Sequence, residues 1–509
     1  MRWNHKLDQS DATPKYEQIV NFVAGAIERG QLKAGERIPS SAELAKKLGI
    51  NNSTVVRAFR ELEQQGLITS QVGKGSFVAG RNGHTVPVRE SRQAQAPAAT
   101  PEIQRSLGRM RLSYINGMNQ LAAIPSPEGT LDIAGGVPSP DSVDKKWFAA
   151  LVSKSLALDP MKVFGYAHLG LAELRAAIAK RLNSQGYSVS ERNIIITSGS
   201  QEALTLVANW SREEGRTVFV ETPSYIGIPL AFLNLGNRVE GLAQDQNGSI
   251  LSGLSEVSRA PRSLVYVCPD FHNPTGRTMS ANVRDELGRF AARNDNIVVV
   301  DDIFRDMRFK GKDIPSLYDS LPSGKRILVG SFSKSFIPGM RVGFLVVEQP
   351  MLDTFAQMKR YFNLGGAVPS QIVMTAALEN GYEQHLDRMR VIYRERCNAM
   401  CASLQETMPE GVTFTRPEGS FQLWVRMPQG YSSIIVYLKA LQRGVRISPG
   451  PHHDIDGRFQ NCFRLGYTKV DPDEIRKGVG VLGEIVRETI DAGPQALSAT
   501  GLALGEFNS

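Results

Sequence analysis

Between residues 105 and 490, short apolar runs stop abruptly at polar residues or glycine: RNIIITSGS, TVFVETPSY, SLVYVCPDF, NIVVVDD and RILVGSFSK. Runs of this kind read as strands buried on both faces, which is the pattern of a mostly parallel α/β sheet with helical crossovers. That architecture also says where chemistry belongs. In open sheets of this type, ligands gather beyond the carboxyl ends of the strands.

The chain has 509 residues, too many for one ordinary domain, so two or three are expected. Apolar residues at 41% and charged residues at 22% suit a globular protein with a large core. No run approaches the roughly 18 apolar residues that span a bilayer, so no membrane partner is expected. The opening MRWNHKLDQSDATPKYEQ has no apolar stretch of a secretory signal, which points to the cytoplasm. Cys397 and Cys401 stand four apart with no second pair to complete a zinc site, so Cys268, Cys397, Cys401 and Cys462 read as buried thiols and no metal is expected. The net charge of +8 is concentrated: residues 1–92 hold fourteen Lys/Arg against nine Asp/Glu. A basic end on a near-neutral body suits a polyanion partner at that end.

The basic end forms one unit, residues 1–80. From Lys15 to Arg29, Tyr16, Ile19, Val20, Val23 and Ile27 recur at helical spacing. GERIPSSAELAKKLG then offers a capping box from Ser40 to Glu43, a short helix and Gly49 as its stop. NNSTVVRAFRELEQQG places Val55, Ala58, Phe59 and Leu62 on one face and ends at Gly66, and LITSQVGKGSFVAG reads as two strands around Val72-Gly73-Lys74-Gly75. Two short helices with a tight turn and then a hairpin describe a winged helix-turn-helix. Along its length the stretch resembles the DNA-binding head of GntR-type regulators, in the pattern GxRxPS…LA…STV…R…L…GLI…GxGxFV.

That resemblance implies double-stranded DNA as a partner. A recognition helix from about Ser53 to Gln65 lies in the major groove, with Ser53, Thr54 and Arg57 near bases and phosphates, Arg37 on the backbone and Lys74 at the wing tip. Where such heads often carry arginines, this one has Ala42 and Asn52, so each head is expected to bind weakly and two to act together. Residues 81–104 have linker composition, Ala, Pro, Gln and Arg without periodicity, and the last stretch, 491–509, reads as a loose tail. A flexible linker of this length spans roughly 25–30 Å.

The strand ends of the large domain offer a particular set of groups. TSGSQEAL opens a helix after a strand, so the amides of Gly199, Ser200 and Gln201 can face an anion. TPSY supplies the aromatic Tyr225, HNPTG the amide of Asn273, VVVDD the buried carboxylate Asp301, SFSK the residues Ser331, Ser333 and Lys334, and PGMR the guanidinium of Arg341. A phosphate, a basic pyridine nitrogen, a phenolic oxygen and an aldehyde would use all of them, and pyridoxal 5′-phosphate (PLP) carries all four. Its aldehyde takes a lysine as a Schiff base, its ring nitrogen a buried carboxylate, and its phosphate an arginine, hydroxyls and a helix N-terminus. Blander readings also exist: Asp301 and Asp302 as a helix cap, Arg464 as a structural ion pair.

Residues 107–485 resemble the fold-type I, aspartate-aminotransferase-like PLP enzymes. The resemblance rests on HNPTG, an aspartate 28 residues after its Asn, S-x-S-K-x-x-x-P-G-x-R-x-G, and a late FRLGY. With the head included, the whole chain resembles MocR-type regulators. The resemblance implies that Lys334 forms the Schiff base, Asp301 pairs with the ring nitrogen, Asn273 binds the phenolic oxygen and Tyr225 stacks on the ring. Ser200, Gln201, Ser331, Ser333 and Arg341 hold the phosphate, Tyr166 reaches the phosphate of a partner subunit in a homodimer, and Arg464 grips the carboxylate of an amino acid. One departure is plain: relatives often carry a tyrosine just after the aspartate, where this chain has Ile303 and Phe304. The expected function is a PLP-dependent transcriptional regulator sensing an amino acid, an amine or PLP. The alternative is a working aminotransferase with a fused DNA-binding head.

Overall fold

In the computed structural model, the described residues are 15–28, 31–32, 35–64, 67–71, 75–78, 101–157, 163–245, 248–260 and 262–494. The chain divides between Pro97 and Ala98 into two units.

In the first unit, helix Lys15–Glu28 packs on helix Asn52–Gln64, with helix Ser41–Leu48 between them in sequence. The capping box forms as its sequence requires. Ser40 accepts from the Glu43 amide, Glu43 reaches back to the Ser40 amide, and Gly49 ends the helix at φ 65°. Apolar residues at helical spacing (Ile19, Val23, Val55, Ala58, Leu62) close a small core. Strands Ile68–Gln71 and Gly75–Val78 pair antiparallel as expected, and the short strand Arg37–Ile38 joins the second of them. The expected turn at residues 72–74 and the helix stop at Gly66 lie outside the described residues.

The second unit opens with helix Pro101–Ala122, which starts inside the stretch 81–104 read as linker. Pro101 stands at its first position, where a missing N–H costs nothing. The Ala- and Pro-rich composition masked that start signal. At the other end, helix Pro472–Asp491 has its own capping box from Asp471 to Glu474, and residues 495–509 lie outside the described residues.

The five apolar runs that end at polar residues or glycine are all strands: Ile194–Thr197, Thr217–Thr222, Ser263–Val267, Asn296–Asp301 and Arg326–Ser331. With Arg238–Ala243 and Gly343–Val346 they make a seven-stranded sheet. In spatial order the strands begin at residues 194, 343, 326, 296, 263, 217 and 238. Neighbours run parallel except at Gly343–Val346, which is antiparallel to both of its partners. Alternation along each strand explains the uniform hydrophobicity. Val298 and Val300 enter one core while Ile297 and Val299 enter the other, so both faces are dry. Val298, Val299 and Val300 are each fully buried, and such burial is worth roughly 1.5–3 kcal/mol per side chain.

A smaller antiparallel sheet, Thr413–Phe414, Gln422–Arg426, Cys462–Gly466 and Ser448–Pro449, carries Arg464 at its centre. The four cysteines are free and buried. Among the described residues, no helix is long and apolar enough to cross a membrane, and no three His, Cys, Asp or Glu side chains cluster as metal ligands.

Candidate cofactor site

A cavity of about 340 Å³ lies at the carboxyl ends of the parallel strands, and Ser200, Gln201, Tyr225, Asn273, Asp301, Ser333, Lys334, Arg341 and Arg464 all line it. Residues drawn from positions 200 to 464 therefore converge on one space.

Lys334 follows the strand Arg326–Ser331 and is carried into the cavity, where Nζ donates to the Gly136 carbonyl at 2.8 Å and stands 5.8 Å from the centre of the Phe304 ring. Burial, then the charge of Arg464, lowers its pKa to about 8 against the pull of Asp301. A buried amine beside a second cation sheds its proton more readily and is the better nucleophile.

Asp301 ends the strand Asn296–Asp301. Oδ1 accepts from the Ile303 amide at 3.1 Å and Oδ2 accepts from the phenol of Tyr266. Burial raises its pKa to about 6, and those two hydrogen bonds oppose the rise. Such a carboxylate gains by facing a cationic ring nitrogen. Asp301 does not cap the short helix Arg305–Met307 that follows, whose N-cap is Phe304, and it lines the cavity.

Arg464 makes no ion pair among the described residues, so the structural ion-pair reading fails too. It donates to Asn273 Oδ1 at 2.9 Å and to the Ala134 carbonyl at 2.8 Å, while Nε is buried without a partner. Burial lowers its pKa to about 10, still well above neutrality. An unneutralised, buried guanidinium with an idle donor is a ready site for a carboxylate.

One end of the cavity is built where helix Ser200–Glu213 starts after Gly199. Arg341 crosses beneath that turn and donates to the Ser198 carbonyl at 2.9 Å. Gly199 sits at φ 75°, and a Cβ there would lie 2.6 Å from the Arg341 guanidinium. Any other residue would be strained at this φ and would push the cation away. These residues fit a PLP molecule: a cation and free amides at one end, a lysine in the middle, a buried carboxylate beneath and an idle guanidinium beyond.

Two expected residues do not line the cavity. Ser331 sits behind it, its hydroxyl 3.1 Å from that of Ser333. Tyr166 is 75% exposed, beside the exposed Phe164. In the first unit, Arg37 is exposed and Thr54 is half-buried on helix Asn52–Gln64. Ser53 and Arg57 stand on the same helix with side chains outside the description, and Lys74 lies outside the described residues.

Among the lining or supporting residues that the sequence did not reveal are Tyr266, His272, Gly136 and Glu221. Glu221 is fully buried, accepts from the Cys268 amide at 2.6 Å and from Gln244 at 3.0 Å, and burial raises its pKa to about 8. A polar tip inside the run SLVYVC was the available signal for Tyr266, and a charge buried at the end of TVFVE the signal for Glu221.

Comparison with known proteins agrees with this geometry. Residues 137–482 match the family Aminotransferase class I and II, and residues 15–78 match the bacterial regulatory proteins of the gntR family. Over 93% of this chain and 97% of the relative, the chain is 29% identical to the uncharacterized HTH-type transcriptional regulator YdfD of Bacillus subtilis. It is 28% identical to the probable rhizopine catabolism regulatory protein MocR of Rhizobium meliloti, over 94% of each. Among solved structures, the alpha-aminoadipate aminotransferase LysN of Thermus thermophilus, complexed with N-(5′-phosphopyridoxyl)-L-leucine, superposes with a TM-score of 0.68 at 31% identity, covering 76% of this chain and 97% of that one.

Proposed function

The chain belongs to the aminotransferase class I and II family and carries a gntR-family head, the pairing of MocR-type regulators, and from that premise we propose that it is a PLP-dependent transcriptional regulator. Its body senses an amino acid or amine, and its heads engage double-stranded DNA in the cytoplasm. The observation that carries this reading is the convergence of Lys334, Asp301 and Arg464 on one cavity, in a chain that also carries a helix-turn-helix unit.

When bound, PLP supplies an aldehyde that condenses with amines and a ring that withdraws electrons from them. The protein does the rest. Lys334 presents an amine that burial and Arg464 keep easy to deprotonate. Asp301 holds a proton on the ring nitrogen, and Tyr266 and the Ile303 amide hold Asp301 in place. Asn273 Oδ1 is taken by Arg464, which leaves its Nδ2 hydrogens for the ring's phenolic oxygen. Tyr225 covers the ring. Ser200, Gln201, Ser331, Ser333 and Arg341 hold the phosphate, with Ser331 acting through Ser333. Arg464 receives the carboxylate of an amino-acid effector as a two-pronged partner.

A homodimer completes this reading. Phe164, Tyr166, Tyr361 and Phe362 are 79%, 75%, 82% and 54% exposed, and exposed aromatic clusters mark protein–protein surfaces. On that surface Tyr166 reaches toward the phosphate of a partner subunit, and two weak heads on one dimer act together on DNA.

A second reading, a working aminotransferase, draws on Lys334 and Arg464 sharing one cavity. One experiment separates the two. Purified protein with PLP is screened against amino acids and amines, recording the visible spectrum, turnover with a keto acid, and affinity for the DNA upstream of its own coding sequence. The regulator reading expects one ligand to change both the spectrum and the DNA affinity. Failure to bind that DNA even at low salt contradicts it, and sustained turnover without any DNA effect favours the enzyme.

A further inference from the structure

Lysine is almost never fully buried without a specific partner. Lys359, on helix Met351–Asn363, has a fully buried side chain and stands 3.0 Å from Glu202 Oε1 and 2.9 Å from Asn363 Oδ1. Glu202 lies in the first turn of helix Ser200–Glu213, and its other oxygen accepts from the Ser198 amide. Ser198 is thus gripped twice: by Glu202 at its amide and by Arg341 at its carbonyl, 2.9 Å away. This residue leads into Gly199 and the helix N-terminus where the phosphate is to sit.

The same network runs outward. Asn363 also donates to Glu202, and its Oδ1 accepts from the Gly365 amide at 3.1 Å. The Gly365 carbonyl accepts from Gln371 at 3.2 Å, and Gln371 in turn accepts from the Leu171 amide at 2.8 Å. The Leu364 carbonyl lies 3.1 Å from His168 Nδ1, and a Cβ on Gly365 would sit 2.3 Å from the Ala167 carbonyl. Leu364 and Gly365 therefore lie against His168 and Ala167, and within four residues of these in the chain stand the exposed Phe164, Tyr166, Tyr361 and Phe362.

A buried ion pair adds little stability over two apolar side chains of the same size, so its value here is geometric. We propose that Lys359 is a positioning residue: through Glu202 it sets the phosphate cradle, and through Asn363 it ties that cradle to the exposed aromatic face, so that phosphate binding and dimerisation are coupled. The proposal rests on the reading of the cavity as a PLP site. Lys359 touches neither cofactor nor effector and acts only through Glu202 and Asn363.

The test compares PLP with pyridoxal, which lacks the phosphate, by visible titration of the full chain, alongside sedimentation of the dimer with and without saturating PLP. Lys359→Met raises the PLP dissociation constant about tenfold, the worth of one hydrogen bond to a charged group, and leaves that of pyridoxal within about twofold. Asn363→Ala abolishes the tightening of the dimer that PLP produces in the wild type. Equal weakening of PLP and pyridoxal, or of neither, overturns the cradle role. A PLP-dependent dimer in Asn363→Ala overturns the coupling. Should Lys359→Met fail to fold by circular dichroism, the pair Glu202→Leu/Lys359→Met removes both buried charges and carries the same expectation. A wild type that reacts with neither aldehyde sinks the PLP reading itself, whereas a reactive wild type with the wrong variant pattern sinks only the role of Lys359.

Discussion

Arg464 donates to the side-chain oxygen of Asn273 at 2.9 Å, joining the small antiparallel sheet to the HNPTG loop in the wall of the cavity. The group suited to an effector carboxylate and the group suited to the ring's phenolic oxygen therefore touch before any ligand arrives. On the proposed reading, a carboxylate drawn to Arg464 would be felt at Asn273.

Arg464→Lys removes the planar fork but keeps a charge. Amino-acid effectors weaken roughly ten- to hundredfold, and amines without a carboxylate change little. Spectral titration with an amino acid and its decarboxylated amine measures the difference. Equal losses for both contradict the assignment.

Lys334 reacts as a free amine, and its pKa is lowered to about 8 from an ordinary 10.5. The rate of PLP uptake by the cofactor-free protein therefore rises with pH, is half-maximal near pH 8 and levels off above it. Arg464→Met removes one of the two causes, so the break moves upward. Stopped-flow absorbance across pH reads it.

Glu221 binds a proton in the folded protein up to about pH 8 but only to about 4.5 when exposed. Across that window the folded state holds more protons than the unfolded one, so its stabilising effect is complete below about 4.5 and declines as pH rises toward 8. Asp301, raised to about 6, acts with the same sign at lower pH. The histidines His272, His385 and His452, lowered to about 3, 4 and 4, act with opposite sign only below their ordinary 6.5. Lys334, lowered to about 8, acts with opposite sign as pH nears 8, so Glu221 dominates the slope between about pH 6.5 and 7.5. There the cofactor-free protein loses up to about 1.4 kcal/mol of stability per pH unit from this group, and Glu221→Gln flattens the slope. Urea unfolding at several pH values checks it.

Arg57 stands on helix Asn52–Gln64 of the head. Arg57→Ala weakens binding to the upstream DNA several-fold and lowers the salt slope by about one if its role is a phosphate contact. Fluorescence anisotropy over a salt series separates that role from base readout, which leaves the slope unchanged.

Much of this site is legible in the sequence because strand ends in a parallel sheet are where side chains leave the core. Asp301 could be placed without coordinates for that reason, and Lys334 and Asn273 sit three and six residues beyond such ends. Tyr266 could not, since a phenol in the middle of an apolar strand looks like core until its hydroxyl is seen to reach Asp301. Lys359 escaped because its partners lie at residues 202 and 363, and no local pattern joins a helix start to a distant helix end. The start of helix Pro101–Ala122 was hidden by composition alone.

The most direct test of the central claim is borohydride reduction of the PLP-treated protein followed by peptide mass spectrometry. A phosphopyridoxyl group on Lys334, lost in Lys334→Ala, is the result this structure predicts. A modified wild type with the group on some other lysine, or no modification at all, would contradict it.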